Sequence, residues 1–210
     1  MMETDKMIAS LLLEINAIKL SPEAPFTWAS GWNSPIYCDN RKTLSYPRVR
    51  DVIKKEFASQ VKKLYPDVYG IAGVATGAIA HGLLVAEELD LPFIYVRPDA
   101  KKHGLGNQIE GYFEPGQKYV VIEDLISTGG SSLAAVRSMK DAGLEVMGML
   151  AIFSYGFPLS LENFEKAGVK IDVLSNYTKL LELATQGGYI NNKQLASLEE
   201  WRKSPSTWKR

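Results

Sequence analysis

The chain has 210 residues, 46% of them hydrophobic and 23% charged, with 24 basic side chains balancing 24 acidic ones. A chain of this length can bury a real core, and its composition excludes a disordered, collagenous or coiled-coil protein. Zero net charge lacks the basic surplus of a general nucleic-acid binder, so no nucleic-acid partner is expected. The single cysteine, Cys38, allows no intrachain disulfide and points to a reducing compartment. With only two histidines beside it, a zinc site built from Cys and His is not expected. No run of 18 apolar residues occurs, and the opening MMETDKMIASLLLE has the wrong charge for a signal peptide. A cytoplasmic protein with no membrane partner is expected.

In chain order, Ile8, Leu11, Leu12, Ile15 and Ile18 recur at helical spacing, which predicts an amphipathic helix over residues 5–19. Residues 20–47 carry Pro22, Pro25, Gly31, Pro35 and Pro47 among Phe26, Trp28, Trp32 and Tyr37. Proline and glycine at this density forbid regular helix, and the aromatics argue against a solvated linker, so short strands or loops packed over another surface are expected. Helix returns over 48–64. From residue 69 strands and helices alternate: strand 68–74, helix 79–89, strand 92–96, a polar loop 98–111, a turn at 114–117 and strand 119–122. A loop over 123–130 leads to a helix over 131–142 stopped by Gly143, and then to a strand over 146–153. A helix near 159–167, a strand over 171–174 and helices near 177–186 and 191–203 complete the chain. The last seven residues either fray or, as Trp208 suggests, dock. The alternation predicts an α/β fold with a parallel twisted sheet flanked by helices, ligands binding at the carboxyl ends of its strands.

The sharpest motif runs from Tyr119 to Ser132, YVVIEDLISTGGSS. An apolar strand leads into two adjacent carboxylates, then a hydroxyl- and glycine-rich turn, then a helix start. Glycines allow close backbone approach, and amide groups converging at a helix N-terminus make an anion site. The carboxylates cannot hold a phosphate but can accept from a diol. A phosphate cradle beside a diol acceptor describes a ribose 5-phosphate. The bland alternative, an ordinary capped strand–turn–helix, leaves the carboxylate pair unexplained. No Gly-x4-Gly-Lys-Ser/Thr string is present, and Gly104, Gly106 and Gly111 lack the dinucleotide-binding spacing.

This string resembles the ribose-phosphate signature of type I phosphoribosyltransferases, which use phosphoribosyl pyrophosphate (PRPP) and Mg²⁺. Phe26–Gly31 and Ser34–Arg41 resemble the N-terminal substrate segment of the orotate phosphoribosyltransferase family. Arg97 with Ala100–Gly104 and Gly106–Gly111 resembles that family's mobile catalytic loop. The three motifs occur in family order and the resemblance spans nearly the whole chain. It implies a single domain over 1–210, with an N-terminal helix and hood over 1–47, and transfer of ribose 5-phosphate from PRPP to orotate on the way to UMP. It further implies a homodimer whose basic loop is shared across subunits.

By the same resemblance, PRPP falls to Arg97, Lys101, His103, Glu123, Asp124, Leu125, Ile126, Ser127, Thr128, Gly129, Gly130 and Ser131, with Lys101, His103 and Asp124 in the catalytic role. Ser127 and Arg41 are expected at orotate, and Mg²⁺ is expected to ride mainly on PRPP with no direct protein ligand. The basic cluster Arg97, Lys101, Lys102 and His103 could be an ordinary solvated loop, but cations on glycine hinges also suit a lid over a departing pyrophosphate. Pro98, Thr76-Gly77, Ala29 and Tyr155 stand where some members have lysine, Tyr-Lys, lysine and an orotate-binding arginine, so a subfamily pattern is expected. A purine phosphoribosyltransferase would lack the hood and the long basic loop. A PRPP-sensing regulator would need a nucleic-acid-binding surface that neutral charge does not supply.

Overall fold

The computed structural model describes residues 3–28, 30–98 and 108–209. Lys101 and His103 therefore lie outside the described residues, as does Ala29. The chain opens with α1 (Thr4–Glu14), which buries Ile8, Leu11 and Leu12. Next come β1 (Ile18–Leu20), β2 (Phe26–Thr27), β3 (Asn33–Ser34), β4 (Ile36–Cys38) and a 3₁₀ helix (Asn40–Ser45). The helix expected over 5–19 thus ends early. Asn16 takes a φ of 53°, and Ile18 pairs with Cys38 in the antiparallel β1–β4 ladder. Ile15 and Ile18 are both buried, so they keep the apolar spacing after the chain has left the helix.

Pro47 begins α2 (Pro47–Leu64), where its missing N–H costs nothing, and Val49, Ile53, Phe57 and Val61 form the buried stripe. There follow β5 (Gly70–Val74), α3 (Ile79–Leu89), β6 (Phe93–Val96), β7 (Ile109–Glu110), β8 (Lys118–Ile126), α4 (Gly130–Asp141) and β9 (Glu145–Ser154). The chain closes with α5 (Pro158–Lys166), β10 (Ile171–Asn176), α6 (Tyr177–Gln186) and α7 (Asn192–Lys203). The main sheet runs β10-β9-β8-β5-β6-β7, and every pair is parallel except β6–β7.

Two elements depart from the sequence reading. The loop expected over 98–111 ends in β7, because Ile109 is buried opposite Val96 and the Arg97 N–H donates to the Gln108 carbonyl at 2.8 Å. The strand expected to stop at Ile122 continues through Glu123 and Asp124. β9 pairs with it as far as Ile126↔Ser154, and fully buried Ile126 anchors its end.

Both faces of the sheet are covered, as its continuous apolar strands require. Val120 and Ile122 of β8 face a core shared with α1, α2, α3, α6 and α7, while Tyr119 and Val121 face one built with α4 and α5. The hood joins the first core through an aromatic cluster. Trp201 of α7 is fully buried among Trp28, Tyr155, Phe157 and Tyr177, with ring centroids 5.2–5.6 Å away. Its Nε1–H donates to the Asn33 carbonyl at 3.2 Å. The C-terminal tail docks: Trp208 is buried and Lys209 Nζ donates to the Pro22 carbonyl at 2.6 Å. Tyr155, at the position where an orotate-binding arginine stands in some members, belongs to this aromatic core.

Truncating Trp201 removes the residue that ties hood, sheet and α7 together. Trp201→Ala is expected to lower unfolding free energy by about 3–5 kcal/mol, read from the urea midpoint. A change under about 1 kcal/mol would show that the cluster is not a load on the fold.

Candidate active site

The site originates in a mismatch of strand lengths. The β5–β8 ladder ends at Gly73↔Ile122, while β9 carries β8 on to Ile126. Residues 123–126 therefore overhang the turn that follows β5, and the step opens a cavity of about 310 Å³. Cys38, Asp39 and Arg41 of the hood line one side, and Gly77, Asp124 and Ser131 line the other. A second cavity of about 560 Å³ shares Ala75 and Thr76 with the first and is bounded by Tyr95, Arg97 and Glu110. The Arg97 guanidinium pairs with Glu110 Oε1 at 3.4 Å.

Three residues, Ser127, Thr128 and Gly129, connect β8 to α4. Gly129 has φ 81°, a left-handed conformation that disfavours any side chain, and a Cβ there would meet Phe164 Cε2 at 2.7 Å. Gly130 and Ser131, the first residues of α4, are exposed, and a helix start leaves its first amides without helical partners. Asn163 of α5 steadies the turn by donating to the Thr128 carbonyl at 3.2 Å. These free amides and the helix dipole favour an anion.

The two carboxylates differ. Glu123 is 4% exposed, and its oxygens already accept from Ser132 Oγ at 2.8 Å and from the Asp124 N–H at 3.0 Å. Burial, then the neighbouring Asp124 charge, hold its carboxyl well above the ordinary range. Asp124 lies directly over Gly77, where any Cβ would collide with its carboxylate. Burial raises the Asp124 pKa as well, while Arg41 pulls against that rise. Arg41 itself is anchored by Asp39 Oδ1 at 2.7 Å, which keeps Asp39 below the usual carboxylate range.

The structure thus brings Arg41, Glu123, Asp124, Leu125 and Ser131 to one cavity and Arg97 to its neighbour. Ser127, Thr128, Gly129 and Gly130 form the connecting turn and the start of α4. Ile126 is wholly buried, so only its main chain could meet a ligand. Sequence reasoning missed Gly77 and Asn40 as site-builders. Asn40 sits beside Arg41 in the hood motif, yet its partner Asp124 lies far away in the chain.

No protein-family model matches the chain. Among curated proteins it is similar to an orotate phosphoribosyltransferase of Porphyromonas gingivalis, with 57% identity over 203 residues and 97% of each chain covered. A solved orotate phosphoribosyltransferase from Aeropyrum pernix superposes with a TM-score of 0.76 at 26% identity, covering 88% of this chain and all of that one. A UMP synthase from Leishmania donovani superposes with a TM-score of 0.79 at 25% identity, covering 94% of this chain and 42% of that longer chain.

The raised Glu123 pKa has a consequence for stability. The folded chain keeps this proton at a pH where the unfolded chain has released it, so folding takes up a proton there. The Glu123 contribution is therefore lost as pH rises from the unfolded value of 4.5 through the folded value. Glu123→Gln removes this dependence while keeping an acceptor for the Asp124 N–H. The variant is expected to unfold at higher urea than the parent near pH 8 and at the same urea near pH 4. A constant difference at both pH values would contradict the assignment.

Proposed function

The chain belongs to the orotate phosphoribosyltransferase family and transfers the ribose 5-phosphate of PRPP to orotate, giving orotidine 5′-monophosphate and pyrophosphate in pyrimidine biosynthesis; we propose that it does so in the step beside β8. One observation carries this reading: Ser131, in the first turn of α4, and Asp124 line the same cavity. The 5-phosphate rests on the turn from Ser127 to Ser131, held by main-chain amides and hydroxyls. Asp124, with Glu123 behind it, accepts from the ribose hydroxyls, and Leu125 and Ile126 present main-chain groups alongside. Orotate lies between Arg41 and Ser127, the guanidinium facing the orotate carboxylate.

In the reaction the bond from C1 of the ribose to the pyrophosphate oxygen breaks, and the bond from C1 to N1 of orotate forms. The N1 proton is released, and the electron pair of the broken bond leaves with pyrophosphate. The ribose ring passes through an electron-poor state that the neighbouring carboxylates favour. Arg97 faces the departing pyrophosphate across the second cavity, and Lys101 and His103 close over it. Closure keeps water from C1. No protein nucleophile is needed.

Mg²⁺ fits as an ion held chiefly by the substrate. Asp124 offers one carboxylate at the cavity wall, and the phosphate oxygens of PRPP would supply further hard ligands. Bound with the pyrophosphate, Mg²⁺ would supply positive charge against the leaving group. The working unit on this reading is a homodimer in the cytoplasm, each basic loop serving the partner subunit's cavity. No described helix is long and apolar enough to cross a membrane.

Steady-state kinetics test these roles. Lys101→Ala and Asp124→Asn are each expected to lower kcat roughly 10²-fold. Mixed and re-assembled, chains carrying one or the other should regain about a quarter of the parent activity, because half the dimers then hold one intact site. Arg41→Ala should raise the KM for orotate roughly 10-fold or more with little change in that for PRPP. An unchanged orotate KM would remove Arg41 from the base site, and a mixture no better than its components would remove the shared loop.

A further inference from the structure

Beyond Ile122, β8 has lost β5 as a partner, and the hood steps in. The Asn40 side chain donates from Nδ2 to the Asp124 carbonyl at 2.5 Å. Its Oδ1 accepts from the Cys38 thiol at 3.3 Å, and its own carbonyl accepts from Thr43 Oγ1 at 2.6 Å. The single Thr43 hydroxyl proton is thereby committed, so His81 Nε2, 3.2 Å from Thr43 Oγ1, carries the hydrogen and donates. Asn40 and Thr43 are fully buried and His81 nearly so. His81 stays neutral because burial pushes its pKa down to about 4. Asn40, Thr43 and His81, from the 3₁₀ helix and α3, thus form one hydrogen-bonded chain, joined through the Asn40 main chain, that ends on the main chain of Asp124.

Burying such groups is unfavourable unless every partner is met, and a satisfied network specifies one geometry. An apolar packing of the hood would hold it in place equally well but would leave the Asp124 carbonyl without this donor. We propose that Asn40 is a positioning residue for the transferase reaction: backed by Thr43 and His81, it clamps the hood to the overhanging end of β8 and sets where Asp124 meets the ribose. The inference rests on the assignment of Asp124 to the ribose hydroxyls. It adds a residue that touches neither substrate.

A double-mutant cycle separates the two ideas. Asp124→Asn alone tests the ribose assignment, and parent-level turnover in that variant would overturn the assignment whatever Asn40 does. Asn40→Ala is expected to lower kcat/KM for PRPP roughly 10- to 100-fold, the scale of a small misplacement at a reacting centre. In the Asp124→Asn background the same change should cost less than about 2-fold, because the group it positions is already disabled. A merely structural Asn40 would multiply its loss onto that of Asp124→Asn, and that outcome overturns the proposal. Should Asn40→Ala fail to fold, Thr43→Val takes its place in the cycle, since it deletes only the hydroxyl at constant volume. The same non-additivity is then expected, with Thr43→Ser restoring most of the lost kcat/KM. Loss in Thr43→Ser equal to that in Thr43→Val would also overturn the proposal.

Discussion

The unequal reach of β5 and β8 is the constraint on which the rest of the site depends. A parallel strand pairs on both edges only as far as both neighbours extend, and here β5 turns away four residues before β8 ends. The overhang does three things at once. It leaves main-chain groups on one edge of β8 without a sheet partner, it lifts Glu123 and Asp124 over the Ala75–Ala78 turn, and it delivers the chain to α4, whose Ser131 lines the same cavity. The hood's 3₁₀ helix then fills the vacated edge from the other side, with Asn40 standing in for a ladder partner.

The electrostatics follow from that geometry. Two adjacent carboxyl groups are removed from water, and the one exposed guanidinium, Arg41, acts, of the two, only on Asp124, so both titrate higher than free side chains. Such a pair costs stability in the absence of ligand. A substrate that brings hydroxyl donors to the carboxylates and an anion to the start of α4 satisfies both ends of the cavity together. The site is thus strained by its own charges, and on the proposed reading a sugar phosphate relieves it, a common compromise between stability and function.

Much of this was legible in the sequence, for physical reasons that differ by element. Tyr119–Ile122 reads as a buried parallel strand because four apolar residues in a row suit a sheet covered on both faces. The turn and helix start after it read as an anion cradle because glycines allow close backbone approach where amides converge at a helix start, and Gly129 indeed takes a positive φ. The continuation of β8 through Glu123 and Asp124 was not legible, since charged residues resemble a loop until β9 is seen to pair with them. The end of α1 was hidden because Ile15 and Ile18 stay buried after leaving the helix. Arg41 was legible as a site residue through the hood motif, and it does line the cavity. Asn40 was not, because its bond to Asp124 spans 84 residues of chain, and Thr43 reaches His81 across 38.

The account's central claim is that Asp124, held over Gly77, receives the ribose of PRPP. Gly77→Ala tests it directly, because the new Cβ would occupy the space of the Asp124 carboxylate and move that side chain without disturbing a core residue. Calorimetric titration with Mg²⁺–PRPP should then show affinity reduced roughly 10-fold or more at an unchanged urea midpoint, the scale of a lost hydrogen bond to a charged group. Parent-like affinity in this variant would place the ribose elsewhere and contradict the account.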